Sequence, residues 1–523
     1  MYTSIARRLY YAIPPSIAGF AYGWENASMS GILTMDQFLD YFHTPSAYRQ
    51  GAMTAALLAG EFGGSLLTGF FVADRLGRRK TILSCVLIYL IGQAIIVASQ
   101  NQAMFIAGRV VNGLGAGGLF QTISLYTAEI TPPSIRGMMT STMSTGIATG
   151  LLVAYWIQYA ALNIQGTAAW RMCFALQLIP GAAVGTIIFF RPESPRWLFH
   201  HDRADEALQV LADLHANGDT TDPAVQAEFE EIRVVVEHER GTPPPSYLAL
   251  LTEKQYRRRT ALAMGLQFMQ QISGVNIILY YAAKVFAQTG RTGTSAALLA
   301  NGIESALFLV ASYSLTMLMD VYGRRLPIII GPTLMGICMI VVASMLIAFG
   351  SPHFNATTQA VEFNFADVDA GNTAVAFMFL YMIAFGALFS ALPWTYQNEV
   401  FPLAARGRGT ALSTCTNWFV NFWLGLYMPA ALNSASWKLY YVFGGINIAI
   451  SFVTFLFYPE TSQRTLEELD LLFTPDRRKL VFLDRDACRK GSMLGHGLED
   501  GVQTAKELEA ALAMGTVEQK EVV

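Results

Sequence analysis

Residues 74–80 read DRLGRRK, four cations and one acid in seven positions, set between the apolar runs GAMTAALLAGEFGGSLLTGFFVA and TILSCVLIYLIGQAIIVAS. A second turn of the same type, DVYGRR, begins at residue 320, again between apolar runs. The chemistry open to such side chains is ion pairing with carboxylates and hydrogen bonding to helix ends. A second set of ionisable residues stands inside apolar stretches: Glu25, Glu61, Arg109 and Glu304. A charge placed there is costly and is a functional candidate by default. The chain shows no nucleophile–base or metal-ligand spacing, so a membrane-embedded enzyme is a weak reading and no cofactor is implied. Cys85, Cys173, Cys338, Cys415 and Cys488 are scattered without CxxC spacing and define neither a metal site nor a disulfide framework.

The elements that must carry these residues follow from composition. The chain has 523 residues, 53% hydrophobic and only 14% charged, with mean hydropathy +0.37. Soluble domains run near a quarter charged residues, so this is a membrane protein. A net charge of −3 gives no nucleic-acid footprint. A bilayer span needs about 20 largely apolar residues. Twelve such stretches are predicted: 11–31, 51–73, 81–99, 103–128, 138–162 and 170–190, then, after a polar segment at 191–259, 260–288, 296–319, 327–349, 373–397, 408–431 and 438–458. Arg7 and Arg8 precede an apolar stretch without a small-residue cleavage site, which reads as a retained first helix rather than a signal peptide. Gly- and Ser-rich spans suit close helix packing in lipid.

With the N-terminus inside, the short inner loops hold Arg75, Arg78, Arg79, Lys80, Arg136, Arg324, Arg325, Arg406 and Arg408, and the middle segment adds Arg257, Arg258 and Arg259. The outer loop at 350–372 has no Lys or Arg but has Glu362, Asp367 and Asp369. This positive-inside pattern puts both termini in the cytoplasm. Asn355-Ala356-Thr357 in that loop is a glycosylation sequon.

The charged turns belong to an internal repeat. DRLGRR at 74 is echoed by DVYGRR at 320, YTAEITPPSIRG (126–137) by YQNEVFPLAARG (396–407), and RPESPR (191–196) by YPETSQR (458–464), in the same order. Two six-span halves related in this way suggest a transporter with its substrate site between them. The predicted fold is therefore an all-α membrane protein of two pseudo-symmetric six-helix bundles, 1–190 and 260–458. A helical linker at 191–259 joins them, and a mostly disordered tail follows at 459–523. Two helical patterns, DRADEALQVLADLHANG and AVQAEFEEIRVVVEHE, fall in the linker, and a short helix is possible near AKELEAALAM in the tail. Asp74, Arg78, Glu129, Arg136, Glu193 and Arg196 in one half, and Asp320, Arg324, Glu399, Arg406 and Glu460 in the other, all fall on the inner face. Such a layer suits a latch on the inner mouth that separates as the halves rock. The plainer alternative is a set of charges that only fixes topology.

DRLGRRK, the Glu129–Arg136 segment, PESPRWL (192–198), QQISGVN (270–276) with Tyr280 and Tyr281, PWTYQNEVFP (393–402), NWFVNF (417–422) and PETSQRTLEEL (459–469) together make the chain resemble the sugar porters of the major facilitator superfamily, closest in style to fungal monosaccharide transporters, over about residues 10–470. The resemblance implies alternating access, a sugar held between the halves, and a multi-pass protein of the plasma membrane for which a monomer suffices. Carried over onto this sequence, Gln270, Gln271, Asn276, Tyr281 and Asn417 would contact the sugar, and Trp394 would stack on its ring. Gln270 and Asn276 share a face only if the helix is broken, for which Gly274 is suited, and Pro393 suggests a local kink beside Trp394. Two departures, Phe308 and Leu151, stand where relatives place amides. Glu25 lies where proton-coupled relatives often have Asp, and Arg109 matches the family's arginine on the fourth span, so the pair is the candidate for proton coupling, each about 9 Å from the outer end at 1.5 Å per residue. Protonating Glu25 would loosen the pair. Glu61 is a competitor for Arg109, and Glu304 with Lys284 is a candidate outer-gate pair. A passive facilitator and a non-transporting sugar sensor are the alternatives, the latter disfavoured by a tail of only about 60 residues.

Overall fold

The computed structural model describes residues 5–43, 46–131, 136–241, 245–276, 278, 294–355, 360–365, 367–435, 437–462, 464, 469, 472, 473 and 480–489. Its twelve spans follow the predicted stretches; the first, fourth, eighth, tenth and eleventh are longer by several residues, and the helix of the seventh ends at Ile272, short of the predicted 288. The first half comprises Ile5–Ile32, Ala47–Leu67, Arg78–Val97, Gln102–Ile130, Arg136–Ala161 and a sixth span in two pieces, Ala168–Ala175 and Leu178–Phe189. The second half comprises Lys254–Ile272, Thr294–Tyr322, Arg325–Phe349, a tenth span in two pieces (Val368–Leu388 and Leu392–Val400), Leu403–Ala435 and Trp437–Phe457. Among the described residues, six helical stretches are long and apolar enough to cross a membrane on length and hydropathy alone. The others are diluted by glycine, serine, threonine and buried charge.

Glycines explain how the first half packs. Gly19 and Gly23 on the first span meet Gly146 and Gly150 on the fifth, and a Cβ at Gly23 would lie 2.0 Å from the carbonyl oxygen of Ile147. Gly60 and Gly64 on the second span meet Gly113 and Gly117 on the fourth, where a Cβ at Gly113 would lie 2.1 Å from the carbonyl oxygen of Leu57. Both are small-xxx-small crossings, in which van der Waals contact replaces the hydrophobic drive that lipid does not supply.

The halves meet along the second and eleventh spans and along the fifth and eighth. Gly51 abuts Leu426, and Trp156 packs on Gly302. In the linker, helices Pro195–His200, Ala204–His215, Pro223–Gly241 and Tyr247–Thr252 confirm the two helical patterns and add two short ones. The linker touches both halves. His215 bonds Glu228 Oε2 at 2.8 Å through Nδ1 and the Ile130 carbonyl at 3.2 Å through Nε2, while Arg408 donates to the Pro245 carbonyl at 3.1 Å.

Two regions depart from expectation. The loop after the ninth span folds as an antiparallel hairpin, Gly350–Asn355 with Ala360–Phe365, pairing Gly350 with Phe365 and Asn355 with Ala360. Within the tail, Val481–Leu483 and Arg485–Cys488 form two short helical turns. Val481 and Ala487 are buried, the Glu460 amide donates to the Ala487 carbonyl at 2.8 Å, and Phe482 stacks on Phe455 at 5.5 Å. This short piece buries apolar side chains against the end of the twelfth span, a tertiary contact that local polarity does not reveal. The AKELEAALAM helix lies outside the described residues.

Candidate functional site

The seventh span breaks where the sequence suggested. Its helix ends at Ile272, and Gly274 takes φ +96°, open to glycine, with the Phe443 ring 2.9 Å from where a Cβ would sit. The carbonyl of Ser273, freed by the break, accepts from Tyr381 Oη at 3.1 Å and from Asn447 Nδ2 at 2.6 Å. A break inside lipid is tolerable because neighbouring side chains satisfy it in this way. The tenth span breaks at 389–391, ahead of Pro393, and the freed Ser390 carbonyl accepts from Gln270 Nε2 at 2.7 Å.

These two breaks collect the amides. Asn276 Nδ2 donates to Gln271 Oε1, Gln271 Nε2 donates to Asn417 Oδ1 at 2.7 Å, and Asn417 Nδ2 donates to Gln267 Oε1 at 2.7 Å and to Gln270 Oε1 at 3.3 Å. Gln267 Nε2 continues to Gln397 Oε1 at 2.9 Å, and Gln397 Nε2 to Thr414 Oγ1 at 3.4 Å. All the amide-bearing residues of this chain are buried. Of the residues implied by the resemblance, Gln270, Gln271, Asn276 and Asn417 therefore stand in one network, while Tyr281 and Lys284 lie outside the described residues. Gln267 and Gln397 were not anticipated. Gln267 stands one turn before Gln270 and Gln271, a helical spacing that was available to be read.

Trp394 is half-buried in an aromatic cluster drawn from both halves. Tyr22 lies 4.6 Å from Phe120 and 5.7 Å from Trp418, and Phe120 lies 5.7 Å from Trp394, ring centre to ring centre. Phe120 precedes Glu129 by nine residues, about 13 Å of helix. The cluster thus joins the two halves about that far from the face carrying the DxxGRR turns, called below the GRR face. At the other end Asn301 Nδ2 reaches Ser30 Oγ at 3.5 Å and Leu298 packs on Gly31. Leu151 and Phe308, the two departures from the family pattern, line one narrow crevice, too tight to admit water, with Tyr155, Glu304, Ser305 and Met382. The Oε1 atom of Glu304 has no hydrogen-bond partner there.

In the first half, Arg109 Nη1 meets Glu25 Oε1 at 2.5 Å, with both side chains fully buried. Glu61 is buried nearby, and neither of its oxygens has a hydrogen-bond partner. Arg109 thus bonds Glu25, and Glu61 stays within its field. Beside the pair runs a second amide chain: Asn112 Nδ2 to Gln93 Oε1 at 2.9 Å, Gln93 Nε2 to Gln177 Oε1 at 3.0 Å, and Gln177 Nε2 to Ser28 Oγ at 2.5 Å.

On the GRR face the repeat is exact in chemistry. Arg78 pairs Glu129 at 2.9 Å, and Arg324 pairs Glu399 at 2.9 Å. Glu193 accepts the amides of Arg78 and Arg79, and Glu460 accepts those of Arg324 and Arg325. Arg79 reaches the Phe189 carbonyl at 2.5 Å and Arg325 the Phe455 carbonyl at 2.6 Å. Each of these clusters bonds residues of its own half, tying the turn to that half's fourth and sixth spans. Arg196 comes within electrostatic reach of Arg406 of the other half. Asp74, Arg136 and Asp320 lie on helical backbone at these turns, and their side chains lie outside the described ones. Gly77 and Gly323 take φ +89° and +78°, and a Cβ at either would lie 2.4 Å from the Glu193 or Glu460 carboxylate. Gly323→Ala is expected to cost about 1–3 kcal/mol of stability, the range for forced backbone conformations, read as a lower unfolding temperature in detergent. An unchanged temperature would sink this account of the turn.

Two six-helix bundles, with two broken helices collecting a set of buried amides, fit a membrane transporter of the major facilitator type. The family model for sugar (and other) transporters matches residues 11–473, and the chain belongs to that family. It is 34% identical over 461 residues to a high-affinity glucose transporter of Kluyveromyces lactis, with 87% of this chain and 83% of that one covered. It is also 34% identical over 480 residues to the MFS glucose transporter mfs1 of Aspergillus flavus, covering 89% and 90%. Its fold matches the inward open xylose transporter XylE from E. coli with a TM-score of 0.70 at 24% identity, over 88% of this chain and 99% of that one.

Proposed function

We propose that this protein moves a monosaccharide, a hexose or a pentose, across the plasma membrane by alternating access, as a proton symporter with both termini in the cytoplasm. The observation that carries the reading is the chain of buried amides from Asn276 to Gln397, with the Tyr22–Phe120–Trp394–Trp418 cluster joining the two halves next to Asn417. Without a ligand the amides satisfy one another. A sugar presents alternating donors and acceptors that can take over those bonds without leaving a buried polar group unmet. Gln270, Gln271, Asn276, Tyr281 and Asn417 hold hydroxyls, and Trp394 offers its face to the ring. Leu151 and Phe308 make one wall apolar, which favours a sugar face with a deoxy or CH edge at that point. The halves 1–190 and 260–458 rock about this site, with 191–259 bracing them. Parting of the aromatic cluster opens the inner mouth, while the two GRR clusters, each bonded within its own half, keep each half rigid instead of latching the halves together. The GRR face is assigned to the cytoplasm because the short loops there concentrate the cations.

A passive facilitator is the second reading, supported by the Glu25–Arg109 pair being intact and fully buried. Uptake of labelled hexoses and pentoses in yeast lacking its own sugar carriers separates the two. Accumulation above the outside concentration, collapsing with a protonophore, is the expected result. Uptake that only equilibrates and ignores the protonophore would make the protein a facilitator. Surface expression with no flux for any sugar tested would overturn the transport reading.

A further inference from the structure

On the GRR face, between the start of the first span and the end of the sixth, lies a cavity of about 670 Å³ lined by Tyr10, Tyr11, Arg79, Phe189, Arg191 and Leu214. It is separate from the amide site and plays no part in the transport scheme above. Two guanidiniums line it. Arg191 donates from Nη2 to the Tyr10 carbonyl at 2.8 Å and lies 3.1 Å from the centre of the Tyr10 ring. The residue is only 8% exposed, yet its Nη1 has no hydrogen-bond partner. Arg79 spends Nη2 on the Phe189 carbonyl, and its Nε is likewise unpartnered. Both side chains line the cavity, so an oxyanion entering it meets two guanidiniums whose donors the protein does not fully use.

The acids nearby do not cancel this. Glu193 is occupied by the amides of Arg78, Arg79 and Ser194. Asp213, the one acid on the lining, is exposed and accepts from Gln209 at 2.9 Å. The rim of the cavity is different in kind. Phe189 is 57% exposed and Phe190 79%, at the end of a span whose Ile179 is also exposed, so the rim continues the apolar surface of the sixth span. Two cations inside and aromatic surface at the mouth suit a molecule with a phosphate at one end and hydrocarbon at the other. Arginine binds phosphate oxygens through its planar fork of donors, and basic pockets beside spans hold lipid headgroups.

We propose that this cavity binds a phospholipid of the adjoining leaflet, with its phosphodiester between Arg79 and Arg191 and its acyl chains over Phe189 and Phe190. A soluble phosphate compound would use the same guanidiniums but gain nothing from the two phenylalanines. A lipid seated here touches the first, third and sixth spans beside the Arg78–Glu129–Glu193 cluster, and so stiffens one half as a unit.

The test is native mass spectrometry of the purified full-length protein with dioleoylphosphatidylglycerol, with dioleoylglycerol (the same chains without phosphate) and with inorganic phosphate. One phosphatidylglycerol should remain bound where dioleoylglycerol does not, and excess inorganic phosphate should displace it poorly. Arg191→Gln should lower the bound fraction about tenfold, as expected for loss of a charge-assisted bidentate contact. Lys80→Gln, which removes an exposed cation of the same face, should leave it unchanged. Asp213→Asn should raise the bound fraction, a gain that misfolding cannot mimic. Equal retention of both lipids, equal binding by wild type and Arg191→Gln, or ready displacement by inorganic phosphate would each overturn the proposal, the last in favour of a soluble phosphate ligand.

Discussion

Glu25→Gln is expected to abolish uphill sugar accumulation while leaving exchange of labelled for unlabelled sugar intact. Glu25 is seven residues from the end of the first span at Ile32, and Arg109 is seven from the start of the fourth at Gln102. Both thus sit about 10 Å from the span ends remote from the GRR face at 1.5 Å per residue. The ion pair ties the first span to the fourth. Protonating Glu25 removes the charge that holds Arg109 and frees the two spans to shift, and glutamine imitates that state permanently. The carrier can then still bind and exchange sugar but has no proton cycle to draw on. Glu61 makes the outcome informative, because two acids face one arginine here and the cluster balances with a single proton. If Glu25→Gln retains accumulation, the exchangeable proton resides on Glu61 or the pair is structural; Glu61→Gln in the same assay then decides between these. Arg109→Gln should be harsher, since removing one partner of a buried pair strands the other at a cost of about 3–5 kcal/mol. It should lower surface expression as well as flux.

Much of this architecture is legible in the sequence, and the reason is physical. A span must be long and apolar, so the twelve stretches stand out, and the repeat of Asp-x-x-Gly-Arg-Arg exposes the duplication before any contact is known. Gly274 and Pro393 mark helix breaks because the backbone at each has few other uses in lipid. Pairing is harder to read. The sequence puts cations and acids on one face without saying which acid each arginine takes, and the structure shows Arg78 with Glu129 and Arg324 with Glu399, inside their own halves. The aromatic cluster was not readable. In a chain with 33 Phe, 22 Tyr and 8 Trp, nothing local distinguishes Tyr22, Phe120 and Trp418 from packing residues. The hairpin at 350–365 and the docked piece at 480–489 were missed because each is stabilised by partners distant in sequence or by a short register with no hydrophobic period.

Asn417→Leu is expected to raise the sugar concentration for half-maximal uptake by about 10–100-fold. Asn417 is the hub of the amide chain: it accepts from Gln271 and donates to Gln267 and Gln270. Leucine fills the same space but leaves those three amides short of partners, at about 1–3 kcal/mol for each buried group left unmet. Since about 1.4 kcal/mol is a factor of ten, loss of one or two such bonds to the sugar suffices for the shift. The substitution also separates this site from the Glu25–Arg109 pair proposed for proton coupling in the other half. Affinity should fall while the protonophore-sensitive share of uptake is kept, the reverse of the Glu25→Gln pattern. Trp394 and Trp418 provide a readout independent of flux, because sugar entering beside them should change their fluorescence at a concentration that Asn417→Leu moves by the same factor. If the variant reaches the surface with an unchanged concentration dependence, the sugar does not bind at these amides. The search would then move to the Gln93–Gln177–Ser28 chain of the first half, where a second set of buried amides lies in hydrogen-bond series.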